Sequence, residues 1–181
     1  MNEKELGKLY PIKIVDYNPQ WPFYFRKEKE LIIKILDKNI RIEHIGSTAV
    51  KGLSAKPTID ILIEKPESIT SKEIITKFEK NSYIHMKEQT KHLMLVKGYT
   101  PMGLKNISYH LHIGPLQQKW LWDRLYFRDY LLKFRHEAKK YEDLKLKLAK
   151  KHKFNREQYT EAKTDYINKI TEKAKLIFDS K

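Results

Sequence analysis

The residue types best suited to chemistry occur together in one stretch, RIEHIGSTAVKGLSAKPTIDILIE, which runs from Arg41 to Glu64. The pattern predicts a strand, a tight turn at Gly46-Ser47, a helical turn that starts at Ser47-Thr48-Ala49, and a second strand. The first N–H groups of such a helical turn are unpaired, and they point the same way as the positive end of its dipole. We therefore expect this turn to bind an anion such as a phosphate group.

A single carboxylate interrupts the second predicted strand. Between Thr58 and Ile63, Asp60 is the only charged residue. Burying a carboxylate costs free energy unless another group pairs with it. Two interpretations follow. Asp60 is either a core residue whose charge is satisfied by its neighbours, or a metal-binding or catalytic carboxylate beside the phosphate-binding turn.

Two histidines lie on a later predicted strand, Ile107–Ile113. His110 and His112 are two residues apart, so both side chains emerge on the same face of the strand. Two imidazoles on one face can bind a metal ion or a phosphate group. The alternative is a polar pair that faces solvent at the edge of a sheet. If this strand lies near Asp60, the three residues form one polar unit, and its expected partner is a divalent ion.

Several motifs of the chain together resemble the signature of a known family: His44–Val50, Gly52-Leu53, Ala55–Pro57, Ile59–Ile61, His110–His112, Phe127–Leu131 and Tyr159–Lys163. They are similar to motifs of the GrpB family, and they extend over nearly the whole chain. The GrpB family is grouped with the nucleotidyltransferase superfamily, which has the DNA polymerase beta-like fold. Similar domains are also found fused to dephospho-coenzyme A kinase.

This resemblance implies roles for particular residues. In nucleotidyltransferases the Gly-Ser turn binds the triphosphate, and two or three carboxylates bind Mg²⁺, which stabilises the attacking and leaving oxygens. By this resemblance, Asp60 and Ser47 are expected to be catalytic. The expected nucleotide-binding residues are Gly46, Ser47, Thr48, Lys56, Arg128 and Lys163.

The chain departs from the superfamily pattern at the second carboxylate, because Leu62 stands two residues after Asp60. Mg²⁺ prefers oxygen ligands in an octahedral arrangement, whereas imidazole with carboxylate suits a transition ion such as Mn²⁺ or Zn²⁺. Either Glu43 or Glu64 completes a Mg²⁺ site, or the site binds another metal, or transfer chemistry has been lost. The expected metal ligands are Asp60, His110, His112 and Glu43.

Net charge indicates the class of partner. The chain has 37 basic and 23 acidic residues, a formal charge of +14, and such a surplus favours polyanions. Lysine outnumbers arginine, so the alternative is that lysines coat solvated helix faces: Lys139, Lys140, Lys145, Lys147, Lys150 and Lys151. We expect a nucleotide or a phosphorylated small molecule as the partner, with nucleic acid less favoured.

Composition also limits compartment and chemistry. The chain has no cysteine, which excludes disulfides and thiolate metal sites. No window approaches the roughly 20 apolar residues that a membrane span requires, and the N-terminus lacks the apolar core of a signal peptide. We therefore expect a cytoplasmic protein that does not bind membranes.

The expected fold class is α+β, with a nucleotidyltransferase-like mixed sheet flanked by helices and a helical C-terminal third. Residues 1–181 are expected to form a single domain, with the sheet core at 1–115 and a packed helical extension at 116–181. We predict that Arg41–Ile45, Thr58–Ile63 and Ile107–Ile113 lie side by side, because only this arrangement brings Ser47, Asp60 and the two histidines into one cleft.

Further elements follow from apolar periodicity. The other predicted strands are Ile12–Val15, Tyr83–Lys87 and His92–Val96. The predicted helices run from Trp21 to about Lys38 and over Ser68–Lys80, Gln117–Arg135, Glu137–Lys151 and Arg156–Phe178. Gly103–Asn106 is expected to be a surface turn, and His85 and His92 are expected to be surface residues at strand ends.

Three functions from different classes fit the sequence. The first is an enzyme that binds a nucleoside triphosphate and transfers a nucleotidyl group to a small acceptor. The second is a catalytically inactive nucleotide- or ligand-binding accessory domain related to coenzyme A. The third is a basic protein that interacts with RNA, for which net charge is the main support.

Overall fold

The computed structural model describes residues 3–179, which form one mixed five-stranded sheet and helices on both of its faces. The helices are α1 (Glu3–Leu9), α2 (Trp21–Leu36), α3 (Ser71–Glu79), α4 (Lys119–Trp122), α5 (Arg124–Lys133), α6 (Arg135–Lys151), α7 (Arg156–Glu161) and α8 (Thr164–Phe178). The strands are β1 (Ile42–Ile45), β2 (Thr58–Glu64), β3 (Ile84–His85), β4 (Leu93–Thr100) and β5 (Gly103–Gly114). The α+β class with a helical C-terminal part is confirmed.

The sheet has the strand order β1-β2-β5-β4-β3. The β2–β5 pair is parallel, and the other three neighbouring pairs are antiparallel. The three strands expected to lie side by side do so. In the register of the sheet, Asp60 pairs with Ile45 on one side and with His110 on the other, and Leu62 pairs with His112. Paired residues share a face, so this register places Asp60 and both histidines on the same surface of the sheet.

Alternation along β2 separates the core from the site. Ile59, Ile61 and Ile63 are fully buried on the face that packs against α2 and α3, with Trp21 and Phe78 among their neighbours in the main core cluster. The residues between them point to the opposite face, which the C-terminal helices cover.

Two smaller apolar clusters attach these C-terminal helices. Ile45 and Leu62 pack against Leu121 and Trp122. Beyond the glycine turn, Val50 and Leu53 pack against residues of α5, α6 and α8. The helical third of the chain therefore lies over the face that presents Asp60, and it closes the site from one side.

Some predicted elements were wrong or differ in extent. Ile12–Val15 is not a strand, because only Val15 forms a bridge, with Ala55. The N–H of Ile12 instead bonds to the carbonyl of Lys153, beside a small cluster formed with α6 and α7. Gly103–Asn106 belongs to β5, and the hairpin turn lies earlier, between Thr100 and Gly103.

Helix boundaries follow local capping. α3 begins at Ser71 rather than at Ser68, because Thr70 and Glu73 form a reciprocal capping box there. The predicted helix Gln117–Arg135 divides into α4 and α5. The predicted N-cap at Asn155 is confirmed by its side chain, which accepts a hydrogen bond from the N–H of Gln158. Among the described residues, no helix has the length and apolarity that a membrane span requires.

Candidate metal and anion site

The turn after β1 lies directly against the Asp60 carboxylate. Gly46 has φ +71° and ψ −171°, a conformation that residues with a Cβ rarely adopt. A Cβ at this position would lie 2.5 Å from Oδ2 of Asp60 and 3.1 Å from its Cγ. Glycine is therefore required both by the backbone angle and by the carboxylate. The turn that follows is a 3-10 helix of three residues, Ser47–Ala49.

Asp60 and the two histidines converge as their positions on adjacent strands suggest. Oδ1 of Asp60 lies 3.4 Å from Nδ1 of His110 and 3.7 Å from Nε2 of His112. One ligand atom from each of the three residues lies within 4.8 Å of the others. Two imidazole nitrogens and a carboxylate oxygen in this arrangement leave room for one ion and for further ligands around it.

The protonation states of the three residues favour a cation between them. Burial raises the pKa of Asp60, but hydrogen bonding to His110 and His112 outweighs it, so the net pKa is well below its usual value. Burial lowers the pKa of His112 to about 3 and also lowers that of His110. At neutral pH the carboxylate is therefore ionised and both imidazoles are neutral, which is the state that binds metals.

A second layer of side chains orients the two imidazole rings. Nε2 of His110 lies 2.8 Å from the hydroxyl of Tyr99, which accepts a 2.9 Å hydrogen bond from Arg156. Nδ1 of His112 lies 2.8 Å from Nε2 of His92. Partners on the far nitrogens of metal-binding histidines fix the ring orientation and the tautomer.

His92 was predicted to lie at the surface, and this prediction was wrong. Its exposed fraction is only 8%, and burial lowers its pKa to about 4. It directly precedes β4, in which Met94 pairs with His112. Period-2 spacing could have placed His92 beside His112, because His92 lies two positions before Met94 and so continues the same face of the sheet.

Four cations line the cavity of about 730 Å³ that contains this group. They are Lys56, Arg124, Lys145 and Lys163. None of them forms an ion pair within 4.0 Å in the part of the chain that the structure describes. Two further carboxylates line the cavity, Asp123 and Glu172, but both are paired with Lys175.

Lys145 was predicted to lie on a solvated lysine face, and this prediction was also wrong. Only 2% of the residue is exposed, and its ammonium group donates a hydrogen bond to the carbonyl of Ser54. The sequence signal is helical spacing. Lys145 lies four residues after Tyr141 and three before Leu148, and both of these residues are buried.

Burial makes the lysines of the cavity unusually acidic. It lowers the pKa of Lys56 to about 7, with a further contribution from the charges of Arg156 and Lys163. Burial and the charge of Lys163 lower the pKa of Lys145 to about 7, and burial lowers that of Lys163 to about 8. An anion in the cavity would restore the charged forms, so the arrangement favours a polyanionic ligand.

Comparison with known proteins places the chain in a family. The sequence profile described as GrpB protein matches residues 11–173. The chain belongs to the GrpB family. Its structure resembles the crystal structure of the conserved protein GrpB from Enterococcus faecalis, with a TM-score of 0.80 and 31% identity, over 92% of this chain and 99% of that chain.

The chain is also similar to a relative found by sequence and to a more distant solved structure. UPF0157 protein PA4798 of Pseudomonas aeruginosa is 36% identical over 167 residues, and the match covers 90% of this chain and 67% of that protein. A weaker structural match is to the Cid1 poly(U) polymerase bound to MgGTP, with a TM-score of 0.42 and 11% identity, over 70% of this chain and 44% of that chain. Similarity at this level does not indicate a shared function.

In this GrpB chain, Arg128, which was expected to bind nucleotide, and Glu43, which was expected to bind metal, bind each other. The guanidinium of Arg128 donates 3.0 Å and 2.9 Å hydrogen bonds to the Glu43 carboxylate and to the carbonyl of His44. Glu43 also pairs with Arg41. Glu43 does not join the Asp60–His110–His112 group, and Arg128 does not line the cavity.

Some of the remaining predicted site residues line the cavity, and others form structural hydrogen bonds. Lys56, Lys163, Gly46 and Ser47 line the cavity. Thr48 also lines it, but its buried hydroxyl donates to the carbonyl of Thr58 and contacts His44, which is a structural role. The carboxylate of Glu64 accepts from the N–H of Arg41 and lies outside the metal-ligand group.

The contact between His92 and His112 gives a first prediction. We expect His92→Phe to lower the affinity for a divalent transition ion by about 10- to 100-fold, because His112 loses the partner that orients its ring. Calorimetric titration with Mn²⁺ or Zn²⁺ measures the change. His85→Phe is the matched control, since His85 lies outside the cavity. Equal affinities of the His92→Phe variant and the wild type would show that the contact does not orient a ligand.

Proposed function

We propose that this GrpB chain binds a nucleoside triphosphate together with a divalent transition ion and transfers a nucleotidyl group to a small acceptor. The observation that carries the proposal is the charge of the cavity. In the described part of the chain, four cations without carboxylate partners line the cavity, and Asp60 is its one carboxylate that does not pair with a lysine. A triphosphate supplies the missing negative charge, and an ion at Asp60 would bind to the same phosphates.

The donor set decides which metal fits. Asp60 supplies one oxygen, and His110 and His112 each supply a neutral nitrogen. Mg²⁺ prefers an oxygen shell, so this set fits Mn²⁺, Zn²⁺ or another transition ion better. When bound, such an ion supplies Lewis-acid stabilisation of the oxygens that gain negative charge during the displacement.

The side chains of the cavity fit the rest of the reaction. In the proposed step, an acceptor hydroxyl oxygen forms a bond to the α-phosphorus and the bond from this phosphorus to the bridging oxygen breaks. Pyrophosphate leaves with the electron pair and remains among Lys56, Lys145 and Lys163, while the acceptor proton passes to solvent. The low pKa of Asp60 makes it a poor base and favours a role as a ligand. Ser47 contacts the transferred phosphate from the turn.

A second candidate is a binding domain without transfer activity. It is favoured by one observation, namely that no second carboxylate joins Asp60 in the metal-ligand group among the described residues. In that case the cavity holds a nucleotide or a coenzyme A-related molecule and does not cleave it. RNA is a poorer fit than either, because the unpaired cations line a cavity rather than an open surface.

Ligand screening followed by a turnover assay separates these functions. Thermal shift and calorimetry with ATP, GTP, CTP, UTP and dephospho-coenzyme A, each with Mn²⁺, Zn²⁺ or Mg²⁺, identify the ligand, because binding to the folded state raises its apparent stability. Transfer of label from the α-phosphate to an acceptor then distinguishes the enzyme from the binding domain. Absence of binding by all these ligands with every metal would contradict both functions.

The low pKa values of the lysines predict how triphosphate binding depends on pH. Above pH 8 the three lysines of the empty cavity are mostly neutral, and phosphates favour their charged form, so each must take up a proton on binding. We expect the affinity to fall as pH rises above 8, by about tenfold per lysine and pH unit. Calorimetry at pH 7.5 in buffers of different ionisation enthalpy measures the proton uptake.

The matched control for this effect is the double variant Lys145→Met/Lys163→Met. It should bind more weakly, by about 30-fold, and should take up fewer protons. A pH-independent affinity in the wild type would show that these lysines do not contact the phosphates.

A further inference from the structure

A second cavity, of about 740 Å³, adjoins the site from the other side of Lys56. It lies between the N-terminal segment, residues 8–24, and the start of β5. Its charged lining residues are Lys8, Lys13, Lys56, Lys105 and Arg156, and it contains no aspartate or glutamate. A cavity of this size whose charged lining residues are all cations has the electrostatic character of an anion site.

These cations are not neutralised by neighbours. None of the five forms an ion pair within 4.0 Å among the residues that the structure describes. Arg156 is fixed in place, because it donates hydrogen bonds to the carbonyl of Tyr10 at 3.2 Å and to the hydroxyl of Tyr99 at 2.9 Å. Lys13 and Lys105 are exposed at the mouth of the cavity, where they can turn toward a ligand.

The two cavities share the residues that separate them. Lys56 and Thr58 line both. Thr58 lies two residues before Asp60 on the same face of β2, so a ligand in the second cavity lies close to the Asp60 carboxylate. Lys56 can contact ligands on either side. Lys145 and Lys163 line only the first cavity, and Lys13, Lys105 and Arg156 line only the second.

We propose that the second cavity binds a phosphorylated small molecule as a second ligand, separate from the triphosphate. This inference goes beyond the proposed function and does not depend on it. Phosphate groups fit because they can accept hydrogen bonds from several cations at once, with Arg156 as a rigid donor on one wall. The volume suits a compound of small-molecule size, since ligand pockets commonly enclose about 300–1,000 Å³.

Calorimetric titration with inorganic pyrophosphate tests this inference directly. We expect the wild type to bind two equivalents. Lys13→Ala/Lys105→Ala should weaken one of them by about tenfold or more, because it removes two donors to a charged group. Lys145→Met/Lys163→Met should weaken only the other equivalent. Lys34→Ala/Lys72→Ala has the same change in net charge, on exposed helix positions outside both cavities, and should bind as the wild type does.

The outcomes separate this inference from the proposed function. A wild type that binds a single equivalent, weakened by Lys145→Met/Lys163→Met and not by Lys13→Ala/Lys105→Ala, overturns the second site. A Lys13→Ala/Lys105→Ala variant that keeps both equivalents at unchanged affinity also overturns it. A wild type that binds a single equivalent, weakened by Lys13→Ala/Lys105→Ala and not by Lys145→Met/Lys163→Met, would support the second site and contradict the proposed function. A parallel titration with a four-nucleotide RNA tests the other polyanion. If the Lys13→Ala/Lys105→Ala change weakens RNA binding but not pyrophosphate binding, the ligand is not a small molecule.

Discussion

Replacing Gly46 with alanine is expected to abolish high-affinity metal binding, although Gly46 has no side chain and donates no ligand. The added Cβ would lie 2.5 Å from Oδ2 of Asp60, so the carboxylate must move away from the histidines. The backbone angles of Gly46 are also nearly exclusive to glycine. Forcing alanine into them should lower the free energy of unfolding by roughly 3 kcal/mol. Calorimetry with Mn²⁺ and chemical denaturation measure the two effects.

Gly52→Ala separates backbone strain from displacement of the carboxylate. Gly52 has a similar φ, +83°, but the nearest atom to its added Cβ is Nη1 of Arg135, at 3.6 Å. This control should lose stability and keep its affinity for the metal. If both variants keep their metal affinity, the proximity of Gly46 to Asp60 has no part in the site.

Replacing Asp60 with asparagine should lower the affinity for a divalent ion by more than about 100-fold, which exceeds the usual loss from changing a residue that only orients a ligand. The same change should leave metal-free binding of triphosphate intact or stronger, since it removes a negative charge from among the lysines. Asp123→Asn is the control, because Asp123 lines the same cavity but pairs with Lys175. Unchanged metal affinity in Asp60→Asn would leave the cluster as a structural network.

The pH dependence of metal binding by the wild type provides a second test of the site. A site built from histidines with the ordinary pKa of about 6.5 would lose metal affinity below that pH. Burial lowers the pKa of His112 to about 3 and lowers that of His110 as well. Protons therefore compete with the metal only at lower pH, and we expect the wild type to retain its affinity at pH 6.

Period-2 spacing and strand order were sufficient to predict that Asp60, His110 and His112 lie together. His110 and His112 share a face, and parallel pairing of β2 with β5 brings them to Asp60. These relations depend on local geometry and on which strands are neighbours, and the sequence pattern carries information on both. The expectation that the glycine turn lies beside the carboxylate came from the same stretch, Arg41 to Glu64.

The errors concern contacts between elements that are far apart in the chain. Arg128 and Glu43 are 85 residues apart and satisfy each other, which no spacing rule reveals. Lys145 looked like one of many surface lysines because composition does not show which helix face a domain buries. The periodic signal was present, since Lys145 is in phase with Tyr141 and Leu148, but buried lysine is rare enough that the pattern alone favours exposure.

The buried lysines of the cavity lower the stability of the protein when no ligand is bound. Burial, together with neighbouring positive charges, lowers the pKa values of three lysines to about 7 to 8, which makes the empty cavity a region of local frustration within an otherwise consistent fold. Apolar residues of similar size, such as methionine, would relieve the repulsion, so the empty protein is less stable than its own backbone allows. The protein is thus less stable than it could be, but it retains a positively charged cavity whose charge a bound anion would balance.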